Sequence, residues 1–306
     1  MSCDDDQGCA KRARVVESDV PTAAPLAHRS DKVMALARAH AHPMDARIEF
    51  VEEGHKYYLD GEPLDISVTG LIESVASEHF DPDAALRVMK RPGKWPNVKY
   101  ADVAPDGTLT PWTDARIKKT WTDNGKAASD LGTDLHGKIE LYLNGEPLVY
   151  DDKRTNEPEF GYFLKWWEAR QAEGYEAYRT EWVIFDADVR LAGSIDFVMR
   201  NTVTGKYAIV DWKRCQTKEA GFAKSFGRKF LAPLASVDQH KLNKWSLQVN
   251  VYREILETRY GLDIDSMAMV VCHCENPSAE EHHFPRTEHA RAVLDARLKL
   301  QKPKSP

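Results

Sequence analysis

The sequence predicts an α/β protein, a central mixed sheet with helices on its faces. Two helical repeats lie before residue 175. Residues 181–212 then switch to a period of two with short polar turns, and a helix, a strand and a last helix follow. Helices that precede a strand meander and are followed by an α-β-α run belong to a layered α/β core rather than a bundle or a sandwich. At 306 residues the chain is long enough for one large domain or two small ones with a substantial core.

In chain order, residues 1–46 hold no sustained period and are rich in Ala, Asp, Arg and Pro, the composition of a disordered tail. The domain is expected over 47–306, with its core at about 120–275. Residues 48–59 alternate as strands, and Asp60-Gly61 is a turn pair. Ser67-Val68-Thr69 leads into a short helix over 70–76, and 91–113, with four prolines and two glycines, is a long loop. Leu131, Leu135 and Ile139 recur at four-residue spacing in a helix over 121–143 that Asn144-Gly145 stops. A second helix covers 160–172. Strands follow at 181–185, 189–199 and 206–212, then a helix at 241–260 stopped by Gly261, a strand at 264–273 and a helix at 287–301.

Charge is segregated along the chain. Residues 213–244 carry eight Lys or Arg against Glu219 and Asp238, and 87–119 carry eight against Asp102, Asp106 and Asp114. The whole chain nevertheless has a net charge of -6. Trp95, Tyr100 and Trp112 are interleaved in one basic block, and Phe222, Phe226 and Phe230 in the other. Cations with aromatic rings suit a phosphate backbone and unstacked bases, so both blocks are expected to line a nucleic-acid path. The acidic start lacks the apolar segment of a secretory signal, and no stretch nears the roughly 20 apolar residues of a membrane span. Five cysteines, an odd and scattered set, fit a reducing compartment. The protein is thus expected in the cytoplasm or nucleus, not secreted, and without a membrane partner.

The most informative stretch runs from Gly193-Ser194-Ile195-Asp196 to Ile209-Val210-Asp211-Trp212-Lys213. A turn centred near residue 203 or 204 puts Asp196 and Asp211 nearly opposite each other in an antiparallel hairpin. Two carboxylates at a cross-strand distance repel unless a cation bridges them, and hard oxygen ligands suit magnesium or manganese. Lys213 shares a face with Asp211, where an ammonium can hold a water or neutralise charge on phosphorus.

Gly-x-x-Asp, a hairpin, then hydrophobic-Asp-x-Lys resembles the hallmark of the PD-(D/E)XK nuclease superfamily. Gly132-Thr133-Asp134-Leu135-His136-Gly137-Lys138-Ile139-Glu140 is similar to the first helix of its RecB-like and lambda-exonuclease-like branch. Gln248-Val249-Asn250-Val251-Tyr252 is similar to that branch's Gln-x-x-x-Tyr motif, and His55-Lys56-Tyr57-Tyr58 with Ser67-Val68-Thr69 to the N-terminal part of phage and viral members. The resemblance covers residues 48–275 and implies a restriction-endonuclease-like core. By it, Asp196, Asp211 and the Trp212 carbonyl would bind Mg2+, for which Mn2+ may substitute, and Lys213 would be the catalytic lysine. His136 would be a further ligand or substrate contact, with Glu140 and Glu181 as ligands or supporting groups. Gln248 and Tyr252 would orient the DNA backbone or the active-site lysine, and Arg214 and Lys218 are expected to contact DNA, single- or double-stranded. Cys215, Cys272 and Cys274 lack the spacing of the branch's iron–sulfur cluster, so none is expected; no zinc pair and no Walker A sequence is present either. The implied activity is DNA phosphodiester hydrolysis, with end processing in replication, recombination or repair favoured. An endonuclease or a non-cutting binding module is the alternative, and oligomeric state stays open.

Overall fold

A computed structural model places residues 31–77, 79–146, 158–215 and 222–301. The first of these are already folded. A 3-10 turn at Asp31–Val33 precedes α1 (Ala35–Ala39), and a second turn at Pro43–Arg47 is capped reciprocally. His42 Nδ1 accepts from the Met44 N–H at 3.2 Å, and Asp45 Oδ2 accepts from the His42 N–H at 2.9 Å. Residues 31–46, expected to belong to a disordered tail, are therefore folded, and residues 1–30 of that tail lie outside the described residues. Capping and long-range pairing hold this segment, and neither leaves a periodic trace.

β1 (Ile48–Val51), β2 (Lys56–Leu59) and β3 (Glu62–Pro63) form a small antiparallel sheet, and β4 (Ile66–Ser67) leads into α2 (Val68–Ser74). The Ser67 hydroxyl accepts from the Gly70 N–H, which fixes the start of α2. Next come α3 (Pro82–Met89), capped by Asp81 with Pro82 in its first turn, and a hairpin of β5 (Ala101–Val103) and β6 (Leu109–Pro111). The region expected as one long loop thus contains this hairpin. α4 (Asp114–Leu143) starts earlier than its apolar period indicated. The described residues 79–133 form one compact unit, packed on Leu86, Tyr100 and Ile117; the other described residues form a second, where one domain from residue 47 was expected.

In the second unit, α5 (Pro158–Ala172) precedes the long strands β7 (Tyr175–Asp186), β8 (Leu191–Asn201) and β9 (Tyr207–Lys213). α6 (Lys241–Arg259), β10 (Ile264–Val271), β11 (Glu280–His283) and α7 (His289–Gln301) complete it. The sheet is mixed: β7, β8 and β9 are antiparallel, β10 runs parallel to β9, and β11 closes the edge antiparallel. Two apolar clusters cover it. One joins α2, α6 and α7 to residues such as Trp182, Ile195 and Ile209. The other joins the end of α4 and α5 to Phe197, Val210 and Trp212. No helix among the described residues is long and apolar enough to cross a membrane.

One topological detail positions the site. β7 occupies one edge of β8 along its length, while the other edge is shared. Phe197 to Arg200 pair with β9, and Leu191 and Ala192 pair in parallel with β4. Residues 193–196 lie between these partners, at a fork where β9 leaves β8.

Candidate functional site

Asp196 sits at that fork. The last rung between β8 and β9 is Phe197↔Val210, so the next positions along the two strands are Asp196 and Asp211, as the hairpin arithmetic predicts. The Trp212 N–H donates to Asp196 Oδ2 at 2.9 Å. A carboxylate thus takes a main-chain donor at the place where the strands part. The apolar alternation of β8 changes phase at the same residue: Leu191 and Ile195 belong to the first cluster, Phe197 and Met199 to the second.

Across β7, the rungs Thr180↔Phe197 and Trp182↔Ile195 bracket Glu181 and Asp196. Glu181 has φ +43, a left-handed conformation inside a strand. For a side chain of this size such backbone costs about 1–3 kcal/mol and persists only where its surroundings enforce it. The Ser194 hydroxyl donates to Glu181 Oε2 at 3.1 Å. From α4, His136 Nδ1 lies 3.8 Å from Glu181 Oε1 and 3.7 Å from Asp196 Oδ2. Ligand atoms of His136, Glu181 and Asp196 all fall within 4.8 Å of one another. These three converge on one point. Asp211 is outside the trio; its Oδ2 meets the Lys213 ammonium.

The electrostatics follow from burial. It pushes the Asp196 carboxyl above its ordinary range although His136 and Lys213 pull it down. It likewise pushes Asp211 up to about 6, against the pull of Lys213. Burial opposes charge on His136, yet Asp196 and Glu181 outweigh it and raise the imidazole to about 9. Burial also opposes charge on Lys213, but Asp211 and Asp196 prevail and its pKa rises, so it is an ammonium at neutral pH. Glu181 and Asp196 held this close to a protonated His136 form a donor set in which a divalent cation could replace the imidazole proton.

Other predicted residues lie outside the trio. Glu140 is buried one turn beyond His136. Gln248 Nε2 donates to the Tyr252 hydroxyl at 3.2 Å, and the Tyr252 ring is buried against β8. A Cβ on Gly193 would stand 2.8 Å from Tyr252 Cε1 and 2.9 Å from Val68 Cγ2, so only glycine admits this approach. Trp212 buries its ring among Phe163, Trp166 and Phe197.

Arg214 departs from its expected DNA contact. Its guanidinium is 5% exposed and pairs with Glu159 of α5 at 2.8 Å, because the strand's period turns it away from Lys213 into the second cluster's side. Lys218 lies outside the described residues. Many cations of the basic blocks are also spoken for: Lys90, Arg116, Lys118, Lys229 and Lys244 pair with Asp114, Asp102, Asp83, Asp238 and Glu73. Tyr100, Phe222 and Phe230 are core rings, leaving Phe226 as the exposed aromatic of its block.

No model of a known protein family and no curated protein matches the chain. Among solved structures it is similar to one described as the crystal structure of SSO0001, at 14% identity, over 62% of this chain and 69% of that one, with a TM-score of 0.28.

Proposed function

We propose that the protein is a metal-dependent nuclease with a restriction-endonuclease-like core that hydrolyses DNA phosphodiester bonds, acting at DNA ends. The observation that carries this reading is the convergence of His136, Glu181 and Asp196 beside the Asp211–Lys213 pair. It joins a hard-cation ligand set to a fixed ammonium, the two components phosphodiester hydrolysis needs.

A bound Mg2+ or Mn2+ would lower the pKa of a coordinated water and offset charge developing at phosphorus. The chain's own residues do the rest. His136, Glu181 and Asp196 would hold the cation, with Asp211 and, by resemblance, the Trp212 carbonyl as further ligands. The Trp212 N–H keeps Asp196 in one orientation. Lys213, cationic at neutral pH, orients the attacking water and steadies the transferred charge rather than acting as a base. On α6, Tyr252, which accepts from Gln248, lies close enough to Asp211 and Asp196 to feel their charge.

The test is digestion of an end-labelled linear DNA beside the same sequence as a closed circle, with Mg2+ or Mn2+. Loss of the linear form alone supports end processing. Cutting of the circle makes the protein an endonuclease of the same chemistry. If neither substrate is cut with either metal, the nuclease reading falls.

A further inference from the structure

We propose that Asp45, outside the cation cluster, is a positioning residue for Glu181 and thereby sets the affinity of the site for its divalent cation. This rests on reading His136, Glu181 and Asp196 as that site.

Glu181 holds left-handed backbone inside β7. A strained residue inside a strand relaxes unless its neighbours are held, and here each one is. Arg179 NH1 donates to Asp45 Oδ2 at 2.7 Å and to the His40 carbonyl at 3.0 Å. The Trp182 indole N–H donates to Asp45 Oδ1 at 2.9 Å. Between them, Thr180 Oγ1 accepts at 3.0 Å from Nδ2 of Asn144, the residue just past the end of the helix that carries His136. One carboxylate therefore clamps the residues two before and one after Glu181, using a different oxygen for each.

The clamp is itself rigid. Asp45 Oδ2 also accepts the His42 N–H in its own capping turn. Trp182 is fully buried and Arg179 nearly so, and the guanidinium lies 4.5 Å from the Trp182 ring centroid. Burial works against ionised Asp45, yet hydrogen bonds from Arg179, the His42 N–H and Trp182 outweigh it and hold the carboxyl below its usual range. With Asp45 neutralised or removed, β7 is free to return Glu181 to extended backbone. That rotation carries the carboxylate out of reach of His136 and Asp196. Outer groups that orient a metal ligand typically govern 10- to 100-fold in affinity.

The experiment is Mn2+ binding to the full chain, read by electron paramagnetic resonance, for wild type, Asp45→Ala, Glu181→Ala and the double variant. Circular dichroism and thermal melts accompany each protein. Asp45→Ala is expected to weaken Mn2+ about tenfold, and to add nothing in the Glu181→Ala background. Asp45→Asn, which keeps an acceptor for Trp182 but loses the charge facing Arg179, should lie between and serves if the alanine variant does not fold. Wild-type affinity in a folded Asp45 variant overturns the proposal. So does an equal further loss in the Glu181→Ala background, the mark of general destabilisation. If wild type binds no Mn2+, or Glu181→Ala leaves its affinity unchanged, the cation-site reading fails first and this proposal with it.

Discussion

Lys213 and Arg214 are neighbours in sequence, both cationic, both beside a buried carboxylate, and they are built for opposite purposes. Arg214, just past β9, and Glu159 of α5 each have side chains about nine-tenths or more buried and pair at 2.8 Å. Lys213 stands among Asp211 and Asp196, with His136 and Glu181 beyond them, so several titratable groups share one cluster. A closed pair holds structure together. The open cluster is where the proposed cation would sit. The period of two on β9 alone decides which residue receives which role.

Replacing Lys213 by Ala should strike only the open cluster. The rate of DNA cleavage should fall about 10³-fold, roughly 4 kcal/mol of barrier, while DNA binding in a gel shift stays near wild type. Wild-type cleavage would end the assigned role. Glu159→Ala should strike only the closed pair: stability falls by about 3 kcal/mol in urea unfolding because a buried guanidinium loses its carboxylate. Mn2+ affinity of the folded fraction should not move, and a large change there would merge the two regions. Gly193→Ala tests the wall behind the cluster. Its added methyl meets the Tyr252 ring and Val68, for an expected loss of about 2 kcal/mol in the same assay.

Protons give a finer probe. With His136 at about 9, the imidazole is protonated at pH 7.5, and a cation on that nitrogen must displace the proton. Calorimetry in buffers of different ionisation enthalpy should show about one proton released per cation at pH 7.5, falling away as pH rises through 9. Near-zero release at pH 7.5 would remove His136 from the ligand set. The smallest effect concerns Cys272 on the closed side. Burial pushes its thiol up to about 12, so iodoacetamide at pH 8 should leave it unlabelled in the native protein and label it after unfolding.

The site's centre was legible because it obeys local rules. A hairpin's turn fixes register, register pairs Asp196 with Asp211, and alternation adds Lys213. His136 and Glu181 were legible only through motif likeness, and the strained backbone at Glu181 has no sequence signature, since glutamate is not a residue that marks φ > 0. Arg214 was misplaced for a physical reason: a basic run gives charge but not facing, and two successive cations on a strand must point to opposite sides. Asp45 was invisible. Its partners on β7 lie more than 130 positions away, and a single aspartate in an aperiodic, polar segment carries no pattern. The Asp81-Pro82 start of α3 was readable as a cap followed by a first-turn proline, and the short period of that helix hid it.

The fork between β8 and β9 also makes the backbone an instrument. The Trp212 amide ends not on a neighbouring carbonyl but on the Asp196 carboxylate. Its proton therefore sits one hydrogen bond from the cluster, and its chemical shift and exchange rate should follow the charge carried there. Nitrogen-15 labelling of tryptophan alone would let that one amide report each protonation and each cation captured, without altering a residue.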